Sequence, residues 1–275
     1  MPRCAGGCRV SVAGFERGRC DMIRARGLSW GLVLVVALSW LSVEAAPRAA
    51  HAETPLSGRS ICLDAGHGGS DPGAVHGGIE EQAINLDVAL YLEAAFSADG
   101  ADVTMTRISE EQTLSSRDRY STCNDAGSDI LISIHTNAAS NADLDGTMTI
   151  YFHEDDRVLA GFLQTSMYGS LSANAPVTPF VDFGLKKDAL GVLLKSGMPA
   201  ATVESVLMSN AAEIELLQID MEHCGGTCRR GQIAEAIRTG VLQYFANVDA
   251  APPGGDGGGT GGGACKPAWH PKCAG

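Results

Sequence analysis

Apolar runs alternate with amphipathic stretches from Ser60 to Val248, a pattern typical of an α/β domain. The strand-like runs are Ser60–Asp64, Val103–Thr106, Ile130–Ile134, Thr147–Phe152 and Ala201–Val206. The helix-like stretches are Glu81–Ala98, Leu114–Ala126, Val158–Leu171, Ala211–Leu217 and Arg230–Phe245. The third and fifth strand-like runs are almost entirely apolar, as expected for central strands covered on both faces. The pattern therefore predicts an α/β domain with a buried central sheet.

A separate apolar segment precedes this domain. Leu28–Val43 follows Arg24 and Arg26 and is followed by Ala50-His51-Ala52, which offers an A-x-A cleavage site. This order is that of a secretory signal peptide, so we predict that residues 1–52 are removed, with Met22 as a candidate true start. We expect the mature chain to be periplasmic or extracellular, without stable membrane insertion. The alternative is an uncleaved anchor, although the run is short for a span of about 20 residues.

Glycine and proline dominate the chain after Asp249 as far as Gly263. A segment of this composition cannot bury a core and is typical of a flexible linker. The remaining tail, with Trp269 and two cysteines, is too short for a second domain. We therefore predict a folded domain at residues 53–249, a linker at 250–264 and a cysteine-containing tail at 265–275.

The charge balance excludes one class of partner. The chain has 32 Asp and Glu against 20 Lys and Arg, which gives a formal net charge of −12. Such a surface repels the phosphate backbone, so we expect no nucleic-acid partner. The acidic residues are scattered, which indicates a solvated surface rather than a dedicated acidic tail.

The number of cysteines is consistent with an exported protein. Those that follow the predicted cleavage site are Cys62, Cys123, Cys224, Cys228, Cys265 and Cys273. An even number in an oxidising compartment suggests disulfides, and two pairs, Cys224 with Cys228 and Cys265 with Cys273, could each close a local loop. The alternative is a zinc knuckle built from these four residues, although their spacing does not repeat.

Three strand-like runs end in unusual polar residues. The first enters a glycine-rich loop that contains His67, the third ends at His135, and the last enters Glu204. Sites in open α/β sheets form in the crevice beyond the carboxyl ends of the strands. We therefore expect these two imidazoles and this carboxylate to converge.

A catalytic zinc site needs three protein ligands and an open position for water, so a further acid is expected. Glu80 and Glu81 at a helix start are the candidates. On a helical projection, Glu81 lies within about 10° of the centre of the apolar face, whereas Glu80 is roughly 100° away. A carboxylate that faces the core needs a counter-charge, which a divalent metal would supply. Glu81 is therefore the better ligand candidate.

Each of these residues also has a simpler interpretation. A histidine at a strand end is often a surface residue, and Glu81 could be an acid favoured by the helix dipole. Glu204 could pair with Arg107 or Arg117. The joint occurrence of these residues favours a metal site. Three further histidines lack this context and are interpreted as solvated or structural: His76, His153 and His223.

Five segments together resemble the zinc-dependent N-acetylmuramoyl-L-alanine amidases of the third type. They read LDAGHGGSDPGA, EEQAINLDVA, TLSSRDRYS, ILISIHTNA and MPAATVESVLMSN, and the resemblance covers about Arg59 to Phe245. It implies a phosphorylase/hydrolase-like, three-layer α/β domain with a six-stranded, mostly parallel sheet. It also implies one zinc ion held by His67, Glu81 and His135, with Glu204 as catalytic acid/base and peptidoglycan as substrate. We expect a monomer.

The chain departs from the family pattern in two places. Val206-Leu207 replaces the usual Gly-Phe, and Gln82 replaces a basic residue. Neither change removes a ligand or the catalytic acid/base, so the departures put the substrate contacts in question more than the activity. The interval between His135 and Glu204 is filled by a predicted strand, helix and loop, so we expect no added inhibitory helix. Two alternative functions are a zinc peptidase acting on the peptide stem and a non-catalytic wall-binding protein with this fold.

Overall fold

The computed structural model describes residues 54–224 and 227–250, where the apolar runs form strands and the amphipathic stretches form helices. The strands are β1 Ser60–Ala65, β2 Val75–His76, β3 Ile79–Glu80, β4 Asp102–Met105, β5 Ile130–Asn137, β6 Gly146–Tyr151, β7 Val181–Lys187 and β8 Ala200–Leu207. The helices are α1 Glu81–Ala98, α2 Ser116–Ala126, α3 Asp156–Ser172, α4 Gly191–Leu194, α5 Ala211–Leu217, α6 Met221–Cys224 and α7 Arg229–Ala250. The predicted signal segment and cysteine-containing tail lie outside the described residues, as does the predicted linker apart from Ala250.

The main sheet has six strands in the order β4-β1-β5-β8-β6-β7. Neighbouring strands run parallel except for β6 and β8, which are antiparallel. The predicted mostly parallel six-stranded sheet is therefore confirmed. The sequence prediction missed β7, which lies in the segment interpreted as a loop between His135 and Glu204. β7 is an edge strand with mostly exposed side chains, so it lacks the apolar run that marked the central strands.

Side chains alternate between two cores on opposite faces of the sheet. Ile61 and Leu63 of β1 face a large core with helices α1, α3 and α7. Cys62, between them, faces a smaller core that includes Cys123 of α2 and Leu193 of α4. Helices therefore cover both faces, which gives the predicted three layers and places the site where the two central strands end.

Two disulfides connect elements of the domain. Cys62 in β1 is bonded to Cys123 in α2, and Cys224 is bonded to Cys228 as the predicted local loop. The alternative zinc knuckle is wrong, because two of its four proposed thiolates are joined to each other. Within the described ranges, no helix has the length and apolar composition that a bilayer span requires.

Candidate active site

The sheet topology brings the three polar strand ends to one edge. β1, β5 and β8 are adjacent and parallel, so their carboxyl ends share the same edge of the sheet. His135 on β5 is paired in register with Glu204 on β8, and His67 lies in the loop that follows β1. The predicted convergence of the two imidazoles and this carboxylate is observed.

Glu81 lies between the two imidazoles. One carboxylate oxygen is 3.1 Å from Nε2 of His67, and the other is 2.9 Å from Nδ1 of His135. The candidate ligand atoms of the three residues all lie within 4.8 Å of one another, close enough to share one metal ion. Glu81 is only 6% exposed, as the helical projection predicted, whereas Glu80 is the N-cap of α1 and accepts a hydrogen bond from Gln82.

Hydrogen bonds hold the Glu81 carboxylate ionised inside the protein. It accepts bonds from the backbone amides of Ala74 and Thr136 and from the side-chain amide of Asn85. Burial acts to raise the pKa of Glu81, but the bonds with His135 and His67 lower it well below its usual range. The acid therefore stays negative and draws positive charge to this point.

The His67 imidazole is oriented by its surroundings. It is the one non-glycine residue of the described chain with a positive φ, 61°, a strained conformation that is found mainly at functional sites. Its Nδ1 is 2.9 Å from Oδ2 of Asp71, which leaves Nε2 facing Glu81. The bond with Glu81 raises the pKa of His67 to about 9, against the effect of burial.

Two buried arginines fix the backbone around His67. Arg119 donates to the carbonyl of His67 and also to Asp64. Arg107 is 1% exposed and donates to the carbonyls of Gly66 and Gln82, which ties the loop to the first turn of α1. Burial lowers the pKa of Arg107 to about 10, which leaves it charged at neutral pH.

Sequence reasoning missed Asp71 and these arginines. Asp71 could have been noticed as an acid four residues after a histidine in a glycine-rich loop. The sequence suggested Arg107 only as a partner of Glu204 and indicated no role for Arg119, because their actual partners, mostly backbone carbonyls, are brought close only by the fold.

Glycines leave room for the cluster at two places. A Cβ on Gly66 would lie 2.3 Å from the His135 ring. A Cβ on Gly73, where φ is +68°, would lie 2.6 Å from the Glu81 carboxylate and 2.7 Å from His67. Any larger residue at either position would displace a cluster side chain.

Glu204 is free of the ion pairs considered for it. Arg107 is committed to carbonyl groups, and in the described part of the chain no hydrogen bond or ion pair is formed by the Glu204 carboxylate. Burial raises the pKa of Glu204 to about 6. A partly buried, unpaired carboxylate of this pKa is suited to taking up and releasing a proton near neutral pH.

Glu204 and both imidazoles line one cleft of about 400 Å³. Its remaining lining residues come from the β1 loop, α2, α4 and the central strands: Asp64, Asp71, Leu114, Ser116, Arg119, Ser133, Leu190, Gly191, Val192 and Thr202. The residues that depart from the family pattern contribute nothing to this lining, and all three are buried: Gln82, Val206 and Leu207.

The three other histidines of the described ranges do not join the cluster. His76 is on the β2 hairpin, His153 stacks edge-on against Phe152, and exposed His223 pairs with Asp220. Among the His, Cys, Asp and Glu side chains of residues 54–224 and 227–250, one group lies close enough together to hold a metal ion: His67, Glu81 and His135.

The domain has three layers around a mostly parallel sheet. A His-Glu-His cluster and a further glutamate lie where the central strands end, an arrangement that has the form of a hydrolase active site. Residues 61–242 match the family model of N-acetylmuramoyl-L-alanine amidases. The chain belongs to this family, the third amidase type, and is an amidase.

The individual relatives include one uncharacterized protein and several named amidases. The chain is 30% identical to the uncharacterized protein YqiI of Bacillus subtilis over 214 residues, 76% of this chain and 96% of that protein. It is 28% identical to the N-acetylmuramoyl-L-alanine amidase LytC of Bacillus subtilis over 193 residues, 70% of this chain and 37% of LytC. Among solved structures, the amidase AmiC2 of Nostoc punctiforme is similar, with a TM-score of 0.60 and 26% identity over 69% of this chain and 99% of that chain.

Substitution of Gly73 tests whether the cluster needs a residue without a side chain at this position. Gly73→Ala is expected to lower amidase activity about 100-fold or more, because the new methyl group displaces Glu81 or His67 from its reactive geometry. Gly78→Ala is a matched control, since Gly78 also has a positive φ, +79°, but faces open space. Both variants are expected to lose about 1–2 kcal/mol of stability from left-handed backbone strain. Equal activity of the two variants in a wall-digestion assay would contradict this role of Gly73.

Proposed function

We propose that this chain is a zinc-dependent enzyme that hydrolyses the amide between the lactyl group of N-acetylmuramic acid and L-alanine in peptidoglycan. The observation that carries the proposal is the convergence of His67, Glu81 and His135 beside Glu204 in one cleft. The exported location predicted from the sequence would bring the enzyme to this substrate.

The cluster fits a zinc ion in its chemistry. Two imidazole nitrogens and one carboxylate oxygen are a donor set found in catalytic zinc hydrolases. The buried Glu81 carboxylate supplies negative charge, and Asp71 holds the His67 ring so that one nitrogen faces the common centre. A carboxylate behind a ligand histidine is the usual support for such a nitrogen.

Glu204 would perform the proton transfers. Zinc held by His67, Glu81 and His135 would polarise the scissile carbonyl and lower the pKa of a water molecule. The ionised Glu204 takes a proton from the attacking water as the new C–O bond forms. It then gives that proton to the L-alanine nitrogen as the C–N bond breaks, which leaves a free lactyl carboxylate and a peptide stem with a free amine.

Substitutions separate the proposed roles. Glu204→Ala is expected to keep zinc and to lose turnover by about 10²–10⁴-fold, because the proton carrier is removed while the ligands remain. His67→Ala is expected to lose both zinc and turnover. Glu80→Ala is the matched control, since this neighbouring acid lies outside the cluster, and it is expected to change neither.

The readouts are zinc content and mass analysis of digested peptidoglycan. Stems that begin with L-alanine identify an amidase, whereas cleavage within the stem would indicate the alternative zinc peptidase. Wild-type protein that binds wall without releasing any product would indicate the non-catalytic alternative. Turnover retained in either Glu204→Ala or His67→Ala would refute the assigned role of that residue.

Activity is expected to fall as the pH falls. Protonation of Glu204, whose pKa burial raises to about 6, removes the base. The positive charge of a bound ion would lower the pKa of Glu204, so the midpoint is expected at or below about pH 6. The test is kcat/KM against pH with zinc content measured at each point. A constant kcat/KM down to about pH 4, where an ordinary Glu titrates, would contradict the role of Glu204 as base.

A further inference from the structure

Thr202 on β8 carries a buried hydroxyl that has no hydrogen-bond partner among the described residues. The residue is 1% exposed, and its Oγ1 forms no hydrogen bond with any residue that the structure describes. It nevertheless belongs to the lining of the cleft. An unsatisfied buried hydroxyl costs folding free energy, so this position points to a molecule that enters the cleft and bonds to it.

Thr202 is part of a polar row that crosses three strands. Asp64, Ser133 and Thr202 are paired in register on β1, β5 and β8. The Ser133 hydroxyl donates to Asp64 at 2.6 Å, so its oxygen is left to accept a bond from a ligand. The Thr202 hydroxyl can donate, and the row therefore offers one acceptor and one donor side by side.

This row forms the closed floor of the cleft. It lies two residues below His135 and Glu204, a distance of about 7 Å along the strands. Two residues further down, Cys62, Leu131 and Ala200 are fully buried in the smaller core. A chain cannot pass through this floor, so the group that reaches Thr202 must be short and must end there.

The walls above the floor include apolar side chains. Leu114, Leu190 and Val192 line the cleft, and Val192 also belongs to the smaller core. The complementary group therefore has one hydrogen-bond donor, one acceptor and a small apolar end.

An acetamido group has this composition, and peptidoglycan carries one beside the bond to be cut. The acetamido and lactyl groups occupy neighbouring carbons of the muramoyl ring. A sugar whose lactyl carbonyl lies at the His-Glu-His cluster can therefore direct its acetamido group to the floor. The lactyl and alanyl methyl groups lack polar atoms, and the peptide stem continues beyond alanine and cannot end in a closed pocket.

We infer that the floor of the cleft binds the acetamido group of the muramoyl sugar, with the Thr202 hydroxyl donating to its carbonyl and Ser133 accepting from its N–H. This inference rests on the proposed function. It makes Thr202 a positioning residue that selects N-acetylated peptidoglycan over de-N-acetylated peptidoglycan.

Binding of two free sugars tests the inference without relying on turnover. Dissociation constants are measured by NMR titration of the zinc-loaded chain with N-acetylmuramic acid and with muramic acid, which has an amine in place of the acetamido group. Thr202→Val is expected to weaken binding of N-acetylmuramic acid about 3- to 10-fold, as for the loss of one neutral hydrogen bond. Thr202→Ser keeps the hydroxyl and is expected to bind like the wild type, and muramic acid is expected to bind equally to all three proteins.

Thr149→Val is the matched control. Thr149 is also a fully buried strand threonine, but its hydroxyl donates to Gln164 at 2.9 Å. This variant is expected to lower the Tm and leave sugar binding unchanged, whereas Thr202→Val is expected to keep or raise the Tm.

An unchanged dissociation constant in Thr202→Val, or an equal loss for both sugars, would overturn the inference. Wild-type protein that prefers N-acetylmuramic acid but releases no stems would instead refute the amidase proposal, and the inferred floor would stand.

Discussion

The buried carboxylate of Glu81 is the constraint around which the site is organised. A negative charge in the first turn of a core-facing helix is costly unless it is paired and hydrogen-bonded. Here two imidazoles, two backbone amides and one asparagine amide surround it. The same groups that keep the acid ionised aim two nitrogens and two oxygens at a common point, so the stability of α1 and the candidate metal centre depend on the same contacts.

Hydrogen bonds from neighbouring residues hold His67 and its loop in place. His67 is held in a strained backbone conformation, and bonds from Arg119 to its carbonyl and from its ring to Asp71 fix its position. Arg107 joins the loop to α1. A binding site needs rigid support for the side chains that form it. We therefore interpret Asp71, Arg107 and Arg119 as residues that hold the cluster in position.

The cleft has two levels with different tasks. At the edge of the sheet, His135 and Glu204 lie side by side, and in the proposed function they face the amide to be cut. One row lower, Ser133 and Thr202 form a floor whose hydrogen-bonding capacity is only partly used by the residues that the structure describes. The period of two along a strand thus places the proposed reaction site and the inferred acetamido site on one face, in consecutive rows.

Much of the fold and of the cluster was predictable, since both depend on periodic patterns and on strand ends. The apolar spacing in α1 gave its bounds and the inward direction of Glu81. The exposed edge strand β7 was missed, although Val181, Phe183 and Leu185 alternate with polar or small residues. The Cys62–Cys123 bond and the unpaired Thr202 hydroxyl depend on residues far apart in the chain, so no local pattern could reveal them.

Anomalous X-ray diffraction from crystals of the zinc-loaded chain would show whether His67, Glu81 and His135 share one metal ion. We expect a single peak at the zinc absorption edge, about 2.0–2.2 Å from Nε2 of His67, Nδ1 of His135 and a carboxylate oxygen of Glu81. Zinc bound elsewhere, or a zinc-loaded crystal without a peak between these residues, would contradict it.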